Sequence, residues 1–189
     1  MAIRGRPLPI RAHPVVLGTV IFIASETMFF AALFATYYNL KAFAVQWPPP
    51  GVHLDIVGPT AGTALLFFSS GAVYMVSRSL RYRANRAAGG WLYAGILGGI
   101  GYIFIALRGY AEQSFTMRSS AYGSIYVTIT GFHLLHVVAG VVMLLGLYLG
   151  LRSPALRADR HEGAEAISYY WHFVTVMWIG IYTTVYWIR

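Results

Sequence analysis

The stretch Val15–Tyr38 reads VVLGTVIFIASETMFFAALFATYY, and its length and apolarity decide the fold class. About 20 residues at about 1.5 Å rise cross a hydrocarbon core roughly 30 Å thick, so this run suffices for one membrane-spanning helix. Glu26 is its only ionisable side chain apart from the tyrosines at its end. It lies about 18 Å along such a helix from Pro14, near the bilayer midplane. A charged carboxylate there costs about 2.5 kcal/mol or more, so Glu26 is expected to be protonated, paired or turned toward protein. An intramembrane carboxylate is a functional-site candidate by default.

The rest of the chain falls in the same class. Of its 189 residues, 58% are hydrophobic and 11% charged, with a mean hydropathy of +0.60; soluble domains carry about 25% charged residues. With Val15–Tyr38, apolar segments at 60–77, 90–112, 122–151 and 167–188 predict an all-α integral membrane bundle of five transmembrane helices, a single membrane domain over 1–189. The second segment is the shortest, with Asp55 as its earliest start. The apolar run after the basic start exceeds a leader's h-region and lacks a small-residue cleavage site, so it is read as a retained helix. Cysteine is absent, which excludes thiolate metal sites, disulfides and thiol catalysis.

Charge and loop chemistry give the expected topology. Arg4, Arg6, Arg11, Arg78, Arg81, Arg83, Arg86, Arg152, Arg157 and Arg160 fall on one side, Lys41, Arg118 and Arg189 on the other, and Arg108 within a span. This asymmetry predicts a cytoplasmic N-terminus and an external C-terminus. The net charge of +8 is therefore a topology signal and an anionic-lipid contact, not a nucleic-acid patch. Pro48-Pro49-Pro50-Gly51 stiffens the first connection, and Ser153-Pro154 stops the fourth helix. Tyr37, Tyr38, Trp47, Tyr82, Trp91, Tyr169, Tyr170, Trp171 and Trp187 crowd the helix ends as an interfacial belt would. Gly58/Gly62, Gly95/Gly99 and Gly146/Gly150 form small-xxx-small pairs that permit close helix approach, and Gly98-Gly99-Ile100-Gly101 reads as a packing surface.

Besides Glu26, the spans hold His133, His136, His172, Arg108 and Glu112. His133 and His136 are three apart, on one helix face, and with Glu26 or His172 they have the donor types for a metal site. Against this, no helix shows the Glu-x-x-His pairing of di-metal bundles, and histidines in membranes commonly serve as polar glue between helices or contact lipid headgroups. A bis-histidine haem would need His136 with His172, whose depths differ. Arg108 and Glu112, at i and i+4, read as an interfacial ion pair; a transport path would show more polar residues on one face. Five helices also do not divide into two inverted halves.

Three stretches carry a resemblance. Ser25-Glu26-Thr27-Met28-Phe29-Phe30, then Ser120-Ala121-Tyr122-Gly123-Ser124 with Thr130-Gly131-Phe132-His133-Leu134-Leu135-His136, and finally Tyr169-Tyr170-Trp171-His172-Phe173-Val174 with Trp178 resemble, in this order, signatures of subunit III of haem-copper terminal oxidases (cytochrome c oxidase). Trp47-Pro48-Pro49 and Ser69-Ser70 also fit, and the resemblance covers about residues 13–189.

The resemblance implies the short five-helix form: an accessory subunit of a proton-pumping respiratory oxidase in the bacterial cytoplasmic membrane. Such a subunit packs on subunit I through its first two helices, with subunit II in the same complex. It binds phospholipid and supports proton uptake and stability of the oxygen-reducing subunit. The resemblance implies no haem or copper in this chain, the redox centres lying in partner subunits, and no catalytic residue. Glu26, His133, His136 and His172 match the family's intramembrane glutamate and histidines, as lipid or subunit contacts. Two positions depart from the pattern. Thr175 stands where the family commonly has aspartate, and Arg108-Gly109-Tyr110-Ala111 stands for Gln-Gly-Tyr-Glu, with Glu112 one place later. Thr175 can only hydrogen-bond, and Arg108 adds a charge that pairs with Glu112 or with another subunit. A quinol oxidase or nitric-oxide-reductase-associated homologue is the close alternative; a small transporter or haem protein is the alternative of another class.

Overall fold

In the computed structural model, which describes residues 14–82, 85–152 and 160–188, the chain is a bundle of five long helices. They are α1 (Pro14–Phe43), α2 (Val57–Arg81), α3 (Asn85–Glu112), α4 (Ala121–Arg152) and α5 (Arg160–Tyr182), the last continued by a π-helical turn over Thr183–Trp187. No strand occurs among the described residues. Arg4, Arg6, Arg11, Arg83, Arg157, Arg189 and the Ser153-Pro154 stop lie outside them.

The helices overrun the apolar segments, because a hydropathy pattern ends at the first polar residues whereas the backbone ladder does not. Adding a residue to a formed helix gains a hydrogen bond at little extra cost, and near the bilayer those bonds are hard to replace. So α1 continues through Asn39 and Lys41, and α2 through Arg78 and Ser79. Its start is set by Asp55, whose carboxylate accepts hydrogen bonds from the amides of Val57 (3.0 Å) and Gly58 (2.8 Å). Two orphan donors of the first turn are thereby satisfied. In the preceding loop Gly51 adopts φ +85°, a conformation a side chain disfavours.

Helices α1 to α4 are each long and apolar enough to cross a membrane. The fifth is less apolar because it is the inner helix, packed on α1, α2 and α4. Ser168, Trp171, Val174, Thr175 and Ile181 are all buried along it. Its polar side chains find protein partners and need not face hydrocarbon. By contrast, α1 rests mainly on α4 and α5 and buries only Phe30 and Tyr37.

Glycines set the closest approaches. A Cβ on Gly98 would lie 2.8 Å from that of Ser69, one on Gly99 2.7 Å from Val141 and 2.8 Å from Trp171, and one on Gly140 2.6 Å from the Trp171 ring. Gly98-Gly99 is thus the packing surface expected of it. Gly146 is different: a Cβ there would meet no heavy atom within 4 Å, so this glycine marks no close approach. The aromatic belt also divides. Tyr38, Tyr82, Trp91, Tyr169 and Trp187 are exposed, but Tyr37 and Trp171 are wholly buried and Tyr170 nearly so, because these rings fill the seams between helices.

Candidate functional site

Glu26 and His136 meet across the α1–α4 seam. The carboxyl Oε2 lies 2.9 Å from the imidazole Nε2, with both side chains mostly covered. The other ring nitrogen, Nδ1, lies 2.7 Å from the Phe132 carbonyl oxygen, which only accepts, so Nδ1 carries a proton. One further proton then lies between Glu26 and Nε2. With that proton on the carboxyl both groups are neutral; with it on the ring the pair is a carboxylate and an imidazolium. Either way the net charge is zero, which removes most of the cost of an isolated carboxylate in hydrocarbon. The ring is framed by the edge of Phe30 at 5.2 Å and the stacked ring of Tyr170 at 6.5 Å, and the Tyr170 hydroxyl donates to the His136 carbonyl.

His133 does not join this pair. Three residues correspond to about 300° of helix rotation, so the two rings diverge by about 60°. That turns His133 inward, where it stacks on Trp178 at 5.0 Å and meets the edge of Tyr102 at 5.7 Å. It is fully buried, and neither ring nitrogen has a hydrogen-bond partner. It is thus an aromatic packing element within this chain; it neither glues helices by hydrogen bonds nor reaches a lipid or partner surface.

His172 bridges two helices. Its Nδ1 lies 2.6 Å from Ser70 Oγ on α2, and its Nε2 3.2 Å from Ser168 Oγ one turn back on α5. Thr175 is buried and donates to the Trp171 carbonyl at 3.0 Å. Arg108 Nε and Glu112 Oε1 are 2.7 Å apart with both side chains exposed, so water screens the pair and it adds little to stability. No three of the His, Asp and Glu side chains gather as metal ligands among the described residues.

Several cross-helix bonds went unread in the sequence. Ser69 Oγ donates to the Gly95 carbonyl (2.6 Å), Trp178 Nε1 to Thr63 Oγ1 (2.8 Å) and the Tyr110 hydroxyl to Thr130 (2.7 Å), while Tyr126 pairs with Tyr186 (2.8 Å). The last two flank a cavity of about 420 Å³ between α2, α3, α4 and α5, which Arg108 and Glu112 also line. Small hydroxyls inside apolar runs were the available signal, since a buried hydroxyl needs a partner.

The sequence profile of cytochrome c oxidase subunit III matches residues 3–189. The chain belongs to the cytochrome c oxidase subunit III family. The probable cytochrome c oxidase subunit 3 of Nocardia farcinica is 34% identical, with 95% of this chain aligned to 90% of that protein. The subunit 3 of Thermostichus vulcanus is 32% identical, over 90% of this chain and 86% of its own length. That of Locusta migratoria is also 32% identical over 90% of this chain, but only 67% of it is covered, so subunit III of the insect is the longer protein. These relatives are subunits of an oxidoreductase complex. Membership in the subunit III family fits a bundle whose polar side chains are spent on helix contacts.

Proposed function

We propose that this chain is the accessory subunit III of a proton-pumping respiratory oxidase in a bacterial cytoplasmic membrane. Oxygen reduction, haem and copper belong to partner subunits. The chain packs on subunit I, with subunit II in the same complex, binds phospholipid, and supports proton uptake and the lifetime of the oxygen-reducing subunit. Its arginine-rich end, with Arg78, Arg81, Arg86 and Arg152, faces the cytoplasm, which leaves the C-terminus external.

The observation that carries this reading is the uncovered face of α1. Ile21 is 63% and Met28 75% exposed, while on the other side of the same helix Glu26 is held by His136. An apolar helix so little covered by its own chain suits a neighbouring subunit or lipid, and Glu26 then supports that boundary without doing chemistry. Co-purification tests the reading: affinity capture of the chain from membranes should bring down a large haem-bearing subunit. Glu26→Gln should leave haem content intact and change only turnover lifetime or the pH dependence of proton uptake, modestly. Capture without haem, or loss of all haem signal in that variant, would sink it.

A further inference from the structure

At the arginine-rich end a cleft of about 390 Å³ opens between the first turns of α3 and the last turns of α4, lined by Arg86, Gly89, Gly90, Tyr93, Tyr148 and Arg152. Its lining is basic. Nearby Arg81 is neutralised by Glu165 at 3.1 Å, but neither Arg86 nor Arg152 has a carboxylate partner among the described residues. Arg152 is nevertheless held in place: its guanidinium lies 4.5 Å from the centre of the Tyr148 ring and donates to that hydroxyl. The floor is open, since a Cβ on Gly89 or Gly90 would meet no heavy atom within 4 Å. Farther along, both helices expose apolar side chains, Leu97 on α3 and Leu145 and Leu149 on α4.

Two guanidinium forks from different helices, beside tyrosine hydroxyls, match the oxygens of a phosphate group. The apolar track beyond them suits acyl chains. We propose that this cleft seats the phosphate of one anionic phospholipid, its chains lying along α3 and α4. The proposal rests on the membrane and lipid-binding part of the reading above; the haem content of the same preparation reports separately on the oxidase part.

Native mass spectrometry of the purified complex, with phosphatidylglycerol or phosphatidylethanolamine added, tests it. Phosphatidylglycerol should be retained in preference. Arg86→Gln and Arg152→Gln should each weaken retention about fivefold, and together about 25-fold, the size expected for interfacial basic residues. Gly90→Leu should fill the floor and also release the lipid, with an unchanged melting temperature because nothing packs there. That variant and Arg86→Gln keep the test decisive if Arg152→Gln disturbs the Tyr148 contact. Equal retention of both lipids, or retention untouched by Gly90→Leu and Arg86→Gln, overturns the site. Displacement of phosphatidylglycerol by excess inorganic phosphate overturns the lipid assignment in favour of a free anion.

Discussion

Glu26 and His136 hold one shared proton between them, and this makes the two obvious substitutions at Glu26 unequal. A glutamine amide can donate to Nε2 of a neutral imidazole, so Glu26→Gln should cost below about 1 kcal/mol, whereas Glu26→Ala leaves a mostly buried acceptor unpaired and should cost about 1–3 kcal/mol. Thermal unfolding of the detergent-solubilised chain measures both, and equal losses would refute the bond. The place of Glu26 along α1 was legible in the sequence because it depends only on counting residues from Pro14. Its partner was not. His133 and His136 are equivalent candidates on paper, and the rotation of α4 that turns one to α1 and the other to Trp178 is set by packing.

Among the elements, the start of α2 and the approach of α4 to α5 each depend on one small feature. The amides of Gly58 and Val57 hold the Asp55 carboxyl below its ordinary value of 3.8. A lowered folded value means its stabilisation is present above that ordinary value and fades as pH falls through the lower one. Asp55→Ala should cost about 1 kcal/mol, as the loss of a helix cap does, and should flatten the acid limb of a melting-temperature profile. In α4, Gly140→Ala pushes a methyl into the buried Trp171 ring and should cost about 1–3 kcal/mol, while Gly146→Ala meets nothing and should be neutral or stabilising by up to about 1 kcal/mol. Similar melting points for the two would contradict the packing described. Glycine spacing in the sequence marked Gly146 and passed over Gly140, because it registers small residues and not the large ring that Gly140 admits.

For the whole molecule, the all-helical membrane bundle was readable from apolar run lengths alone, and the family from three motifs in order. Which helix lies inside was hidden, since a run of moderate apolarity looks the same at the rim and at the centre. That inner position of α5 bears on how the chain is made. Its charged first turns, serine, histidines and threonine make it a poor helix for entering lipid by itself. Translated after α1–α4, it has to be accepted by a bundle already in place, with Ser70 waiting for His172 and Thr63 for Trp178. In a glycosylation-based insertion assay α5 alone should enter membranes inefficiently, and efficiently behind α1–α4; full insertion of the isolated helix would contradict this. The addition of α5 is then a docking reaction between polar side chains, and a nascent chain stalled before it would expose unsatisfied hydroxyls to lipid, a mark that membrane quality control can read.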